Sequence, residues 1–356
     1  MANSLNAWAY LYGKPEITGA LRTQEADFKV FEQLPFELTG EGEHLYIYIR
    51  KTGTNTVYVA RELAKYFEVK ESLVAYAGLK DRFAVTEQWF AVHLPGKQSY
   101  DLSDLKIDGV EILHWQRHNK KLRTGALSGN RFVITLRNVS DIKQLQQRWQ
   151  LAVTHGVPNY FGEQRFGING NNIEMAKAMF AGKKVRDKKK RSLYLSAARS
   201  LMFNQCISAR IEKNTFEAPQ LGDIMMLAGS QSIFIPESMN AEIEHRFNEH
   251  DIDITCPMWG RGQLKTTDGV LALEQDIAQQ NAELRDGLER AGLKQERRRA
   301  RLLVTNATLA VLEDNTSVEL AFDLPAGCFA TTLLRELLDY DDLTQRQDNM
   351  RAREES

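Results

Sequence analysis

Residues 44–50, HLYIYIR, alternate strictly: Leu45, Ile47 and Ile49 fall on one side, His44, Tyr46, Tyr48 and Arg50 on the other. Period two predicts a strand with one buried face. Its second face is aromatic and basic, which suits stacking on nucleic-acid bases or a second layer of packing. A change to helical spacing follows. Asn55 or Thr56 caps TVYVARELAKYF, in which Val57, Ala60, Leu63, Ala64 and Phe67 share one face. SLVAYAG then predicts a strand ending at Gly78, and EQWFAVHL another, so LKDR between them is a strand-to-strand loop.

The alternation returns in RFVITLRN (131–138), and Ser140 caps the helix DIKQLQQRWQLAVTH, which Gly156 and Pro158 terminate. From there the pattern changes. VPNYFGEQRFGINGNN is rich in Gly, Asn and aromatics. Helical stretches are predicted at about 192–213 and about 268–301. Strand patterning resumes in LLVTNATLAVL and SVELAFDLP, where Val318, Leu320 and Phe322 alternate with Glu319, Ala321 and Asp323. After an LPAG turn, CFATTLLRELLDY is an amphipathic helix. The two β-rich ends and the helix-richer middle predict an α+β protein. One domain is built from residues 1–155 and 304–345, an insertion spans 156–303, and 346–356 is a polar tail. The 356-residue length fits two cores.

Composition sharpens this in two places. No run approaches the roughly 18 apolar residues that cross a bilayer, and no secretory leader is visible, so a cytoplasmic protein is expected. Cys206, Cys256 and Cys328 are far apart and form no zinc-finger spacing. Net charge is −1, but the bases are clustered. KKVRDKKKR (183–191) holds seven bases and one acid; KQERRRAR (294–301) and RHNKKLRTGALSGNR (117–131) are also strongly basic. Each alone is an ordinary solvated face. Together they form the footprint of a nucleic-acid surface. The near-neutral charge and absence of a heptad seam make a monomer the default.

Several chemistries are excluded by motif: there is no P-loop, dinucleotide fingerprint, HExxH or GxSxG. His114 and His118 in HWQRH are four apart, but the surrounding Lys and Arg would repel a cation, so no metal is expected. Asp81 remains. It stands between Lys80 and Arg82 in an otherwise apolar frame, on a loop positioned by two strands. Adjacent cations favour a carboxylate in its charged form. An exposed turn with a weak local ion pair is the plain alternative.

AGLKDRFAVTEQW resembles the catalytic signature of the TruD family of tRNA pseudouridine synthases. Further segments match in family order: ADFKVFE (26–32) with GEGEHLYI (40–47), KLRTGALSGNRF (121–132), VPNYFGEQRFG (157–167) with SLYLSAARSLMFNQ (192–205), and LPAGCFATTLLREL (324–337). The resemblance implies a pseudouridine-synthase catalytic domain with a mixed, largely antiparallel sheet, split by an inserted α/β domain. It also implies isomerisation of tRNA uridine-13 in the D-arm, without metal or organic cofactor. It gives Asp81 the catalytic role and Arg22 that of basic partner. Lys80 and Arg82 are nearer in sequence, but neighbours on an extended loop point apart.

The resemblance points to Phe28, Asn130, Phe132 and Phe329 as substrate contacts. Strand parity instead places Phe132 with Ile134 and Leu136, as a core residue. Lys80, Arg82, Lys120, Lys121, Arg123, Lys188, Lys189 and Lys190 are candidates for the RNA backbone. Two other classes stay open: a non-catalytic RNA-binding protein, which has no need of Asp81, and a nucleoside or sugar hydrolase, which would need a second acid–base carboxylate.

Overall fold

The structure, a computed structural model, describes residues 8–344 apart from Lys97; the predicted polar tail lies outside the described residues. The chain forms two compact units. One comprises Pro15–Thr154, Val304–Ala330 and 337–344; the other 8–14, His155–Leu303 and Thr331–Glu336. Among the described residues, no helix is long and apolar enough to cross a membrane.

The first unit is built on a ten-stranded sheet. Its early elements are β1 (Thr18–Leu21), β2 (Phe28–Gln33), β3 (His44–Thr52), α1 (Thr56–Tyr66), β4 (Val74–Tyr76), β5 (Val85–His93), β6 (Val110–His118), β7 (Gly129–Arg137) and α2 (Ile142–His155). The main path runs from strand Thr305–Val311 through Val318–Pro325, β7, β2, β5 and β3 to β6. β1 pairs with β7 and, in parallel, with strand Asp339–Asp342; β2 and β5 are also parallel, and the remaining pairings are antiparallel.

The alternation in β3 does what its period requires. Leu45, Ile47 and Ile49 are buried against Val59, Ala60, Leu63 and Ala64 of α1, each large aliphatic side chain contributing about 1.5–3 kcal/mol. Val57, expected on this face, is exposed, and Val59 occupies it instead. The aromatic side of β3 is a second packed layer. Tyr46 is fully buried, edge-on to Phe36 and His118, and its hydroxyl donates to the Lys120 carbonyl (3.1 Å). On β7, Phe132 stacks on Phe322 (5.4 Å) and meets Phe28 edge-on (6.3 Å), while Trp149 of α2 covers Phe322.

In the second unit, helix Lys188–Glu212 packs on an antiparallel sheet of Ile233–Phe234, Met225–Leu227, Ile252–Met258 and Glu296–Arg299. The helix expected over 268–301 is instead two helices, Asp268–Gln280 and Ala282–Arg290, followed by that last strand. Its arginines are structural ties rather than an exposed basic face. Arg297 holds Glu274 (2.8 Å), Arg298 lies over the Phe161 ring (4.4 Å) and donates to Asn159, and Arg299 donates to the Leu227 carbonyl (2.8 Å). Arg210 and Asp223 form a buried bidentate pair (2.7 and 2.8 Å).

Residues 8–14 and Thr331–Glu336, read from sequence as parts of the sheet domain, group with this unit. Hydrogen bonds explain the grouping. Glu336 accepts from the Leu11 amide (3.0 Å), Arg335 donates to the Trp8 carbonyl (2.7 Å), and Thr332 donates to the Tyr160 carbonyl (2.9 Å).

Candidate active site

Asp81 lies on the loop between β4 and β5, and three ties fix that loop to the end of β3 and the residues that follow it. The Lys80 amide donates to Thr56 Oγ1 (3.1 Å), Arg82 Nε to the Gly53 carbonyl (3.0 Å), and Lys51 Nζ to the Asp81 carbonyl (2.8 Å). Thr56 in turn donates to Gln88 Oε1 (2.9 Å), and Gln88 Nε2 donates to the Gly78 carbonyl (2.7 Å). The start of the loop is therefore anchored to strand β5 and the start of α1, and Asp81 and Arg82 to the end of β3 and the turn that follows it.

Arg22 meets Asp81 from the end of β1. Its Nη2 donates to Asp81 Oδ2 (2.9 Å) and its Nη1 to Asp342 Oδ2 (2.6 Å). The Arg22 and Asp342 side chains are only 5% and 3% exposed, whereas Asp81 is 40% exposed. Phe28 supports the guanidinium from below, with Cζ 4.1 Å from the ring centroid. Arg22 has φ 57°, a left-handed conformation uncommon outside glycine. Such backbone is retained where the surroundings over-determine it; here two carboxylates and an aromatic ring do so. Asp81 Oδ1 has no hydrogen-bond partner among the described residues. A buried cation thus grips one oxygen of a partly exposed carboxylate, and the other oxygen is left without a protein hydrogen bond among the described residues.

The remaining predicted residues divide into groups. Lys80 turns inward, contrary to the expectation of a backbone contact. Its side chain is 11% exposed and its Nζ lies 3.1 Å from Glu32 and 2.7 Å from Asn130 Oδ1. The register explains the meeting, because Glu32 pairs directly with Asn130 across β2 and β7. Burial pushes the Glu32 carboxyl above the usual range, opposed by Lys80 and the Trp89 amide. Phe28 and Phe132 are buried, and Phe329 is half-buried before the last helix. Lys120, Lys121, Arg123 and Arg82 are exposed on the sheet unit; Lys188, Lys189 and Lys190 are exposed on the other. His114 and His118 lie on β6, where residues four apart stand roughly 13 Å from each other, too far for one ion. Among the described residues, no group of three or more His, Cys, Asp or Glu could hold a metal ion.

Three participants were not anticipated: Asp342, Glu32 and Lys51. Asp342 reads as one acid in the exposed-looking run DYDD. Lys51 carries a signal, since it continues the Leu45, Ile47, Ile49 parity to the core side of β3.

The chain and its fold have relatives. The sequence profile of the family described as tRNA pseudouridine synthase D (TruD) matches residues 4–186 and 183–337. The tRNA pseudouridine synthase D of Colwellia psychrerythraea is 59% identical over 348 residues, covering 96% of this chain and 95% of the relative. That of Aeromonas hydrophila is 48% identical over 338 residues, covering 95% and 96%. The crystal structure of a Methanosarcina mazei protein carrying the same TruD designation superposes with a TM-score of 0.70 at 20% identity, over 93% of this chain and 95% of that one, and so shares the α+β fold. The chain belongs to the tRNA pseudouridine synthase D family.

Proposed function

We propose that this protein isomerises uridine-13 in the D-arm of tRNA to pseudouridine, with Asp81 as the catalytic carboxylate and Arg22 as its basic partner. The observation that carries the reading is the Asp81 pair: Oδ2 held by a buried guanidinium, Oδ1 left for substrate. The reaction balances within one nucleotide. The N1–C1′ bond breaks, C5 bonds to C1′, the proton leaves C5, and N1 gains one. Cleavage needs an ionised carboxylate at the sugar, either to attack C1′ or to remove the C2′ proton. Oδ1 serves both routes. The base must leave its stack to reach it, and Asn130 and Phe329 are assigned as its contacts. Phe28 acts chiefly by supporting Arg22, and Phe132 by supporting Phe28. Incubation with unmodified tRNA, followed by pseudouridine mapping, is expected to give product at position 13. Product at another position rejects the position, and none rejects the activity.

Lys188, Lys189 and Lys190 are proposed to contact the tRNA backbone. They occupy the first turn of a helix capped by Asp187, which accepts from the Lys189 and Lys190 amides. Cations at a helix N-terminus oppose the macrodipole, so helix stability does not account for them. Changing all three to Gln should reduce the slope of log affinity against log salt by about 2–3, at roughly 0.7–0.9 for each phosphate that is no longer neutralised. An unchanged slope in salt-titrated binding rejects the assignment.

A further inference from the structure

We propose that Lys51 is a positioning residue for Asp81, its buried ammonium holding the Asp81 and Thr54 carbonyls and so setting where the Asp81 carboxylate stands. The proposal rests on the catalytic reading of Asp81. Lys51 lies near the end of β3, between Thr86 of β5 and Val110 of β6, and is fully buried. An ammonium removed from water costs several kcal/mol unless its surroundings compensate. Yet Lys51 makes no ion pair among the described residues. Its Nζ donates to two main-chain carbonyls, Asp81 (2.8 Å) and Thr54 (2.9 Å), on two loops at the same end of the paired strands β3 and β5. A buried charge spent on carbonyls is poorly explained by packing, since an apolar side chain would fill the same space without the desolvation. It is explained if the Asp81 backbone must be held.

Around Lys51, the charged groups are Asp81 and Lys80 on the loop and Glu32 on β2. Asp81 and Glu32 attract the ammonium and Lys80 repels it, but burial outweighs them and pushes its pKa down to about 8. The unfolded lysine titrates near its ordinary value, about 10.4. Between about pH 8 and 10 the unfolded chain therefore binds the extra proton, and this group's contribution to stability rises with pH. Its charge, and with it the strong hold on the Asp81 carbonyl, is lost over the same interval. Rate and stability should move in opposite directions, which a merely structural lysine does not produce.

Single-turnover rates of pseudouridine formation, tRNA affinity and melting temperature are compared from pH 6.5 to 9.5 for wild type, Lys51→Met, Lys51→Arg and Asp81→Asn. At pH 7, Lys51→Met should react about 10–100-fold more slowly, with affinity within about twofold. Its deficit should shrink as wild type loses its own proton, and Lys51→Arg, charged throughout, should keep its rate past pH 8. A Lys51→Met rate equal to wild type at pH 7, or a deficit constant with pH, overturns the proposal while Asp81→Asn remains inactive. An active Asp81→Asn overturns the catalytic reading instead. If neither Lys51 variant folds, wild type decides: a rate limb centred near pH 8 with rising melting temperature supports the proposal, and a rate flat to pH 9 overturns it.

Discussion

Asp81→Asn should lose pseudouridine formation by at least about 10²–10⁴-fold, the range a positioned proton-transfer group supplies, and by more if the carboxylate also bonds to C1′. The substitution is nearly isosteric. The Asn carbonyl can still accept from Arg22 Nη2, so the clamp geometry survives and only the charge goes. The side chain is 40% exposed, so little folding energy depends on it. Melting temperature should stay near wild type, and tRNA affinity should hold or improve slightly, because a negative charge is removed from the surface proposed to receive the polyanionic substrate. Loss of rate with retained binding separates an enzyme from an RNA-binding protein that carries the same fold. An Asn variant that forms product at the wild-type rate would remove Asp81 from the chemistry.

Much of the scaffold behind that loop is readable from period alone. HLYIYIR, RFVITLRN and SVELAFDLP each alternate because successive side chains point to opposite faces of a strand, and all their residues but Asn138 and Ser317 lie in strands of the one sheet. Helices are legible where an apolar stripe and a terminating Gly coincide, as in α2. The strand Glu296–Arg299 is not legible, because it has no apolar alternation. Its place is decided by pairing with Ile252–Met258 and by acceptors far away in sequence, such as Glu274 and Asn159. A run of arginines is the same in sequence whether it faces RNA or threads through a protein interior.

The site divides along the same line. Asp81 stands out locally as a charge in an apolar frame. Asp342 does not, because what makes it matter is a register. The parallel pairing of β1 with Asp339–Asp342 sets Leu21 beside Asp342 and delivers Arg22 to its carboxylate across 320 positions of chain. Lys51 was legible in principle. A lysine on the core parity of a strand is a buried charge that needs a reason, and counting the alternation one step past Ile49 exposes it.

That register makes Arg22 the second position of large effect, and it predicts two separable losses. In Arg22→Met, Asp342 keeps its buried carboxylate without the ion-pair partner, a change that typically costs about 3–5 kcal/mol. The bonds that Asp342 Oδ1 accepts from the Thr344 amide and hydroxyl remain and limit the damage. Asp81 also loses a charge-assisted hydrogen bond. At about 1.5–3 kcal/mol, that is roughly a 10–150-fold fall in rate if the bond matters in the transition state. Adding Asp342→Asn removes the stranded charge while leaving an acceptor for Thr344. The double variant should recover most of the melting temperature and none of the rate. Arg22→Lys should fall between, since one ammonium lacks the planar fork that reaches two carboxylates at once. If the double variant regains both stability and rate, Arg22 serves the fold alone, and the cation that assists Asp81 must be sought elsewhere on the loop.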